Sequence, residues 1–172
     1  IYQTQASLEV TVTERILVAG GLGQLGSELA PALTARYGAD QVIVTDLREP
    51  DSAGVAVQGG FQLLDARDGD ALLELVQKHR ITRMYHLAAL LSAVAETRPQ
   101  DAWQINMNGL AAVLEVARQE GCSVFTPSSI GAFGPGTPKD YTPQDTIQRP
   151  TSMYGVTKVA GEPLCAYYYR KF

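Results

Sequence analysis

The sequence predicts a doubly wound α/β fold, in which a parallel sheet is covered by helices on both faces. Two observations along the chain predict it. Short apolar runs alternate with longer helical stretches five times, and each run is apolar on both faces, as strands buried from both sides must be. A third is local: the first run passes straight into a glycine cluster that opens a helix.

Taken in order, residues 15–19 form a strand that stops at glycines. Residues 24–37 carry Leu25, Leu29 and Leu33 four apart, a helical stripe, and Gly38 is a stop signal just beyond. Residues 41–45 read as a buried strand, 47–60 as a polar, turn-rich loop, and 61–64 as a third strand. Asp68 can cap a helix bearing Leu72, Leu73 and Val76. Residues 82–87 are a fourth strand. Pro99 opens a helix that runs to about Glu120 and stops at Gly121. Residues 123–126 are the fifth strand, and 152–169 the last helix.

At 172 residues the chain can bury one proper core. Residues 15–172 are expected to form that domain. Residues 1–14 contain no Arg or Lys and no long apolar block, so they read as an N-terminal extension, neither secretory signal nor transit peptide. The net charge is −4, and no stretch concentrates the 14 basic residues, which disfavours nucleic-acid or anionic-membrane partners. No apolar run approaches the ~20 residues of a membrane span. Cys122 and Cys165 form no C-x-x-C or Cys/His cluster, so neither a metal site nor a disulfide is expected. They read as small hydrophobes in a reducing, cytoplasmic setting, or a mitochondrial matrix if the source is eukaryotic.

The glycine cluster counts as G-x-x-G-x-x-G on Gly20, Gly23 and Gly26. The first permits a tight turn off the strand, the second a close approach of backbone to a pyrophosphate, and the third close packing of helix on sheet. The helix that follows offers unpaired N–H groups to the diphosphate. This is the context of a Rossmann-type dinucleotide site, with Leu22, Gln24 and Leu25 expected at the phosphates. Asp46 ends the second strand, 26 residues after Gly20. Its carboxylate suits ribose hydroxyls and repels a 2′-phosphate, which favours NAD over NADP. Leu47 and Arg48 follow, and Arg48 could soften that preference. Leu64 and Asp65 end the third strand, where Asp65 either meets the adenine edge or merely begins a turn.

Tyr154 and Lys158 lie four apart and share one helix face. The ammonium favours phenolate and so draws the tyrosine from its unperturbed ~10 toward neutrality. Such a tyrosine can take an alcohol proton as hydride leaves the same carbon. A Y-x-x-x-K pair alone is common by chance. Ser128 and Ser129, at the end of the fifth strand and 25 residues upstream of Tyr154 in the case of Ser129, add a hydroxyl able to hold the substrate oxygen.

Together the glycine loop, HLAA at 86–89, Ser129 and the Tyr154/Lys158 pair resemble the extended short-chain dehydrogenase/reductase family, over about 15–172. Narrower strings, GGLGQLG at 20–26, LSA at 91–93, NMNG at 106–109, PSSIGAFGP at 127–135, MYGVTK at 153–158 and YYY at 167–169, are similar to the short-chain type of L-threonine 3-dehydrogenases. That resemblance implies oxidation of the threonine 3-hydroxyl to 2-amino-3-oxobutanoate, with Tyr154 as base, Lys158 as its tuner and Ser129 as hydroxyl holder. Family members often carry Thr at the place of Ser129, which supplies the same group. The resemblance further implies that Leu87, Ala88, Ala89 and Asn106 touch the cofactor, that Ser92 faces the substrate or the nicotinamide ribose, and that Ser128 faces the substrate. His86 and His79 read as locally packed and solvated, respectively.

The 99–120 helix carries Trp103, Met107, Leu110 and Leu114 on one stripe, wider with its flanks than one sheet contact needs. By resemblance this helix and 152–169 pair with their copies in a second subunit to make a homodimer. The family is normally twice this length, so the C-terminal substrate domain is expected to be absent from this chain and turnover by the piece alone to be weak. A nucleotide-sugar epimerase/dehydratase on the same scaffold, or a non-catalytic NAD-binding module, are the alternatives.

Overall fold

The computed structural model describes residues 14–54, 57 and 59–172; most of the expected N-terminal extension, residues 1–13, lies outside them. In chain order the elements are β1 (Ile16–Ala19), α1 (Gln24–Tyr37), β2 (Val42–Asp46), α2 (Pro50–Ala53), β3 (Gly60–Leu63), α3 (Gly69–His79), β4 (Arg83–His86), α4 (Ser92–Thr97), α5 (Pro99–Trp103), α6 (Gly109–Glu120), β5 (Ser123–Phe125) and α7 (Met153–Lys171).

All five strands are parallel, in the order β3-β2-β1-β4-β5. The order reverses between β1 and β4, and a ligand crevice opens at the carboxyl ends of strands flanking such a switch. Ala19 stands level with Thr45 on one side and His86 on the other, so the glycine loop leaves the sheet between the ends of β2 and β4.

Side chains alternate across the sheet with the strand period of two. Leu17 and Met84 point to one layer, closed by Leu72, Leu75 and Val76 of α3 and Val113 and Val116 of α6. Ile16, Val18, Val42 and Val44 point to the other, closed by Ala30 and Leu33 of α1. Asp68 caps α3 through a 3.0 Å bond to the Ala71 N–H, and Gly121, at φ 69°, ends α6.

Several expectations are corrected. The buried face of α1 is Gly26, Ala30, Leu33 and Thr34, and Leu25 is 61% exposed. Gly26 packs directly on the Gly21 backbone, which turns the stripe by one residue. The expected loop at 47–60 contains α2, started by Pro50 at its first turn and ended by Gly54 at φ 65°. The short helix α4 was not expected; Arg98 alone separates it from α5, because the residue before Pro99 avoids helical backbone. The single helix expected over 99–120 is interrupted by a π-helical turn at Gln104–Asn108. The edge strands are not apolar on both faces: Gln62 and Leu63 of β3, and Ser123 and Phe125 of β5, are exposed. Of the stripe on the long helix, Met107, Leu110 and Leu114 are buried within this one chain, and only Trp103, 41% exposed, is left outside. Among the described residues no helix is long and apolar enough to cross a membrane.

Candidate active site

The turn after β1 is fastened to β2: the N–H groups of Gly20 and Gly21 both donate to the Thr45 carbonyl, at 2.8 and 3.0 Å. Gly20 has φ 78°, and a Cβ on it would stand 2.5 Å from the Ala88 nitrogen. Gly20 and Gly26 therefore answer needs of the protein itself. So does Gly21, where a Cβ would run into the Val44 side chain; the triplet spacing passed over it, although the doubled glycine was visible. Gly23 differs. Its backbone is ordinary, at φ −78°, and a Cβ would meet only the Gly20 carbonyl at 3.4 Å. Nothing in this chain requires glycine there, yet it caps α1 with no side chain over the helix end. That bare N-terminus fits a diphosphate.

Asp46 is buried beside this loop. One carboxylate oxygen accepts the Leu22 N–H at 3.1 Å, and the other accepts the Arg48 N–H and Nε at 3.2 Å each. The Arg48 guanidinium reaches back to the Leu22 carbonyl at 3.1 Å. These groups wall a crevice of about 350 Å³ that contains Gly20, Gly23, Asp46, Leu47, Arg48, Leu64, Asp65, Leu87, Ala88 and Ala89. Leu22, Gln24, Leu25, Gly26 and Asn106 stand outside its walls. Asp65 is gripped by Arg67 through Nε at 3.0 Å to both oxygens and through a second nitrogen at 2.5 Å. Those hydrogen bonds hold its carboxyl below the usual carboxylate range. Arg67 also lines the crevice and was not anticipated.

Past β4 a second cavity of about 340 Å³ shares Ala88 and Ala89 with the first and runs on to Thr126, Pro127, Ser128 and Lys158. His86 is buried in its wall with Nδ1 unpartnered. Burial, and then the nearby Lys158 charge, push its pKa down to about 4, so it is neutral. Asn106 is buried at the same place, in the π-helical turn. Its oxygen accepts the Leu90 N–H at 2.7 Å, and its amide donates to the Leu90 carbonyl at 3.1 Å and to Thr157 Oγ1 at 3.0 Å. The Thr157 hydroxyl in turn donates to the Tyr154 carbonyl at 2.7 Å. Thr157 was not singled out from sequence, though it lies inside the MYGVTK string.

The end of β5 brings the polar residues together. Ser129 caps a short turn at Ile130–Ala132 and accepts the Gly131 N–H at 3.1 Å. A Cβ on Gly131 would stand 3.3 Å from the Tyr154 ring and 3.4 Å from Ser129 Oγ, so the hydroxyl and the ring flank the same glycine. Lys158 Nζ lies 5.5 Å from the centroid of that ring and donates to the Pro127 carbonyl at 2.8 Å. Its partial burial lowers its pKa. The N-terminus of α7 is fixed twice: Ser152 Oγ accepts the Gly155 N–H at 3.0 Å, and Glu96 of α4 accepts the Met153 N–H at 2.6 Å. Ser128 is turned elsewhere, donating to Glu162 at 2.5 Å. Ser92 is exposed as the first residue of α4. Among the described residues no group of three or more His, Cys, Asp or Glu could hold a metal.

The profile of the NAD dependent epimerase/dehydratase family matches residues 16–172. An uncharacterized epimerase/dehydratase of Staphylococcus saprophyticus is 54% identical over 159 residues, covering 92% of this chain and 50% of the relative. The structure of L-threonine dehydrogenase from Clostridium difficile is 50% identical with a TM-score of 0.89, covering 93% of this chain and 50% of that one. UDP-glucose 4-epimerase from Thermotoga maritima, solved with UDP-glucose, is 27% identical with a TM-score of 0.84, covering 92% and 52%. The chain thus spans about half the length of the proteins it matches.

Proposed function

This chain belongs to the NAD dependent epimerase/dehydratase family, and from that membership we propose that it supplies the dinucleotide half and the acid–base residues of an NAD-dependent L-threonine 3-dehydrogenase. The observation that carries the reading is the convergence of Ser129 and Tyr154 on Gly131, with Lys158 one turn behind. Its supporting context is 50% identity to a solved L-threonine dehydrogenase against 27% to a UDP-glucose epimerase.

The bare α1 terminus at Gly23 holds the diphosphate, and the Asp46 carboxylate faces the adenosine ribose and disfavours a 2′-phosphate. When bound, NAD supplies the hydride acceptor. Ser129 Oγ already accepts the Gly131 N–H, which leaves its own proton to donate to the substrate hydroxyl oxygen. Tyr154 takes the proton from that hydroxyl as the C3 hydride departs, leaving 2-amino-3-oxobutanoate. Lys158 holds a positive charge 5.5 Å from the centroid of the ring, the sign that steadies a phenolate. A two-fold homodimer through α5, α6 and α7 belongs to the same proposal. With most of the stripe consumed inside the chain, its contact would rest on Trp103 and the exposed Tyr167.

The test measures, in the full-length protein, NADH formation with L-threonine in one arm and formation of the 4-epimer from UDP-glucose in another. Threonine-dependent NADH is expected, and Tyr154→Phe should lower kcat by about 10²–10⁴-fold while NAD still binds. Epimerisation of the UDP-sugar without threonine oxidation would transfer the site to the second chemistry. Tight NAD binding with neither reaction would make the chain a binding module.

A further inference from the structure

Helix α7 grips the segment after β5 at three successive turns. Gly155 sits on the Gly131 carbonyl, so closely that a Cβ would collide with it. Lys158 Nζ holds the Pro127 carbonyl at 2.8 Å. Glu162 holds Ser128 Oγ at 2.5 Å. The first two contacts belong to the base and its neighbour, and the third has no part in the chemistry above. The Glu162 carboxylate is shared: both of its oxygens also accept Gln148 Nε2, at 3.0 Å each, from the segment that leads into α7.

The backbone explains why that third contact matters. Ser129 is extended, at φ −158° and ψ 153°. Along extended backbone, neighbouring side chains point to opposite sides. With the hydroxyl at 128 pulled toward Glu162, about two turns further along α7 than Tyr154, the hydroxyl at 129 is left to point to Gly131 and the Tyr154 ring. If Ser128 swung free, the segment could rotate and Ser129 would lose its aim. A charge-assisted hydrogen bond is among the stronger means of preventing that rotation.

We infer that Glu162 is a positioning residue for the Ser129–Tyr154 pair: by holding Ser128 it sets the direction in which the Ser129 hydroxyl points. This rests on the threonine-oxidising reading proposed above and names a further residue of that same site. Ser128, expected from sequence to face the substrate, becomes the other end of the strut.

The experiment compares Glu162→Ala, Glu162→Gln, Ser128→Ala and the Glu162→Ala/Ser128→Ala double variant in the full-length protein. Readouts are kcat, KM for both substrates, NAD affinity, and hydrogen exchange of the Gly131 amide, the proton that Ser129 Oγ accepts. Glu162→Ala and Ser128→Ala are each expected to lower kcat about tenfold, the scale of one charge-assisted hydrogen bond, with NAD affinity within about twofold. The double variant should be no worse than either single one, since the two residues make one contact. Glu162→Gln keeps an acceptor oxygen and should recover most of the rate. Exchange at Gly131 should quicken in Glu162→Ala, Ser128→Ala and the double variant, and not in Glu162→Gln. Unchanged kcat and exchange in Glu162→Ala would overturn the inference. So would a loss that glutamine does not rescue and Ser128→Ala does not share. If Glu162→Ala fails to fold, Ser128→Ala carries the same test. A wild-type protein that oxidises no threonine, yet shows the exchange response, would overturn the proposed reaction and leave the strut standing.

Discussion

Asn106 and Thr157, 51 positions apart in the chain, meet at 3.0 Å directly behind the turn of α7 that carries Tyr154. The contact is one link in a continuous hydrogen-bonded path from the Leu90 backbone, at the rim of the crevice beside Gly20 and Asp46, to the Tyr154 carbonyl. Both side chains are buried, so each polar atom must find its partner inside the protein.

Replacing Thr157 by Val keeps the volume and removes the hydroxyl. It leaves one Asn106 amide proton without its acceptor, and a buried donor so orphaned costs about 1–3 kcal/mol. Urea unfolding of Thr157→Val should show that loss, with the midpoint moving and the slope unchanged. An unchanged midpoint would mean that water takes over the bond.

Gly23→Ala should separate binding from folding. The chain accommodates a Cβ there at an ordinary 3.4 Å, and its φ of −78° suits alanine. Stability should stay within about 0.5 kcal/mol, while NAD affinity, measured by calorimetry, should fall at least about tenfold because the methyl fills the diphosphate floor. Gly20→Ala should instead destabilise the fold, since φ 78° and the Ala88 backbone both oppose it. Equal effects from both variants would refute the distinction.

Asp46→Ser should shift cofactor preference. The carboxylate now holds Arg48 at 3.2 Å and repels phosphate. Without it the guanidinium is released toward a 2′-phosphate, and the ratio of NADP to NAD affinity should rise about tenfold or more, the scale of one charge-assisted contact. A ratio that does not move would show that Arg48 stays folded on the Leu22 carbonyl.

His86 gives a stability profile with a defined sign. Its folded pKa, about 4, lies below the unfolded value of ~6.5. Between those values the unfolded chain binds the extra proton, so stability rises with pH. It is fully present above ~6.5 and is lost progressively as pH falls to about 4, by up to roughly 3 kcal/mol. Denaturation across that window should show the slope in wild type and a flatter line in His86→Leu. Parallel slopes would assign the acid sensitivity to other groups.

Much of the scaffold was legible because it is written in local signals. The run into Gly20, the α1 limits at Gln24 and Tyr37, the Asp68 cap and the Gly121 stop each need only a few neighbouring residues. Tyr154 and Lys158 were legible for the same reason, being one helical turn apart. What stayed hidden depends on how side chains and backbone pack in three dimensions, which no sequence pattern marks. The two-residue spacing of Asp65 and Arg67 does not say that Arg67 folds onto the carboxylate rather than into solvent, and the exposed side of Leu25 follows from how closely Gly26 approaches Gly21. Asn106 could be placed near the cofactor by resemblance, but its amide bonds are set by a π-helical turn that leaves no periodic mark. Ser128 and Ser129 are chemically identical in sequence; the fold tells them apart by setting Ser128 on Glu162, 34 positions away, and Ser129 on the Gly131 N–H.

The widened turn at Gln104–Asn108 makes residue count critical at one spot in an otherwise tolerant helix. Deleting a single residue there would restore regular winding and swing Asn106 by about 100° around the axis. The amide would then face away from Leu90 and Thr157, while the sheet beneath kept its order. Length itself is thus a constraint at this point, separate from the identity of any side chain.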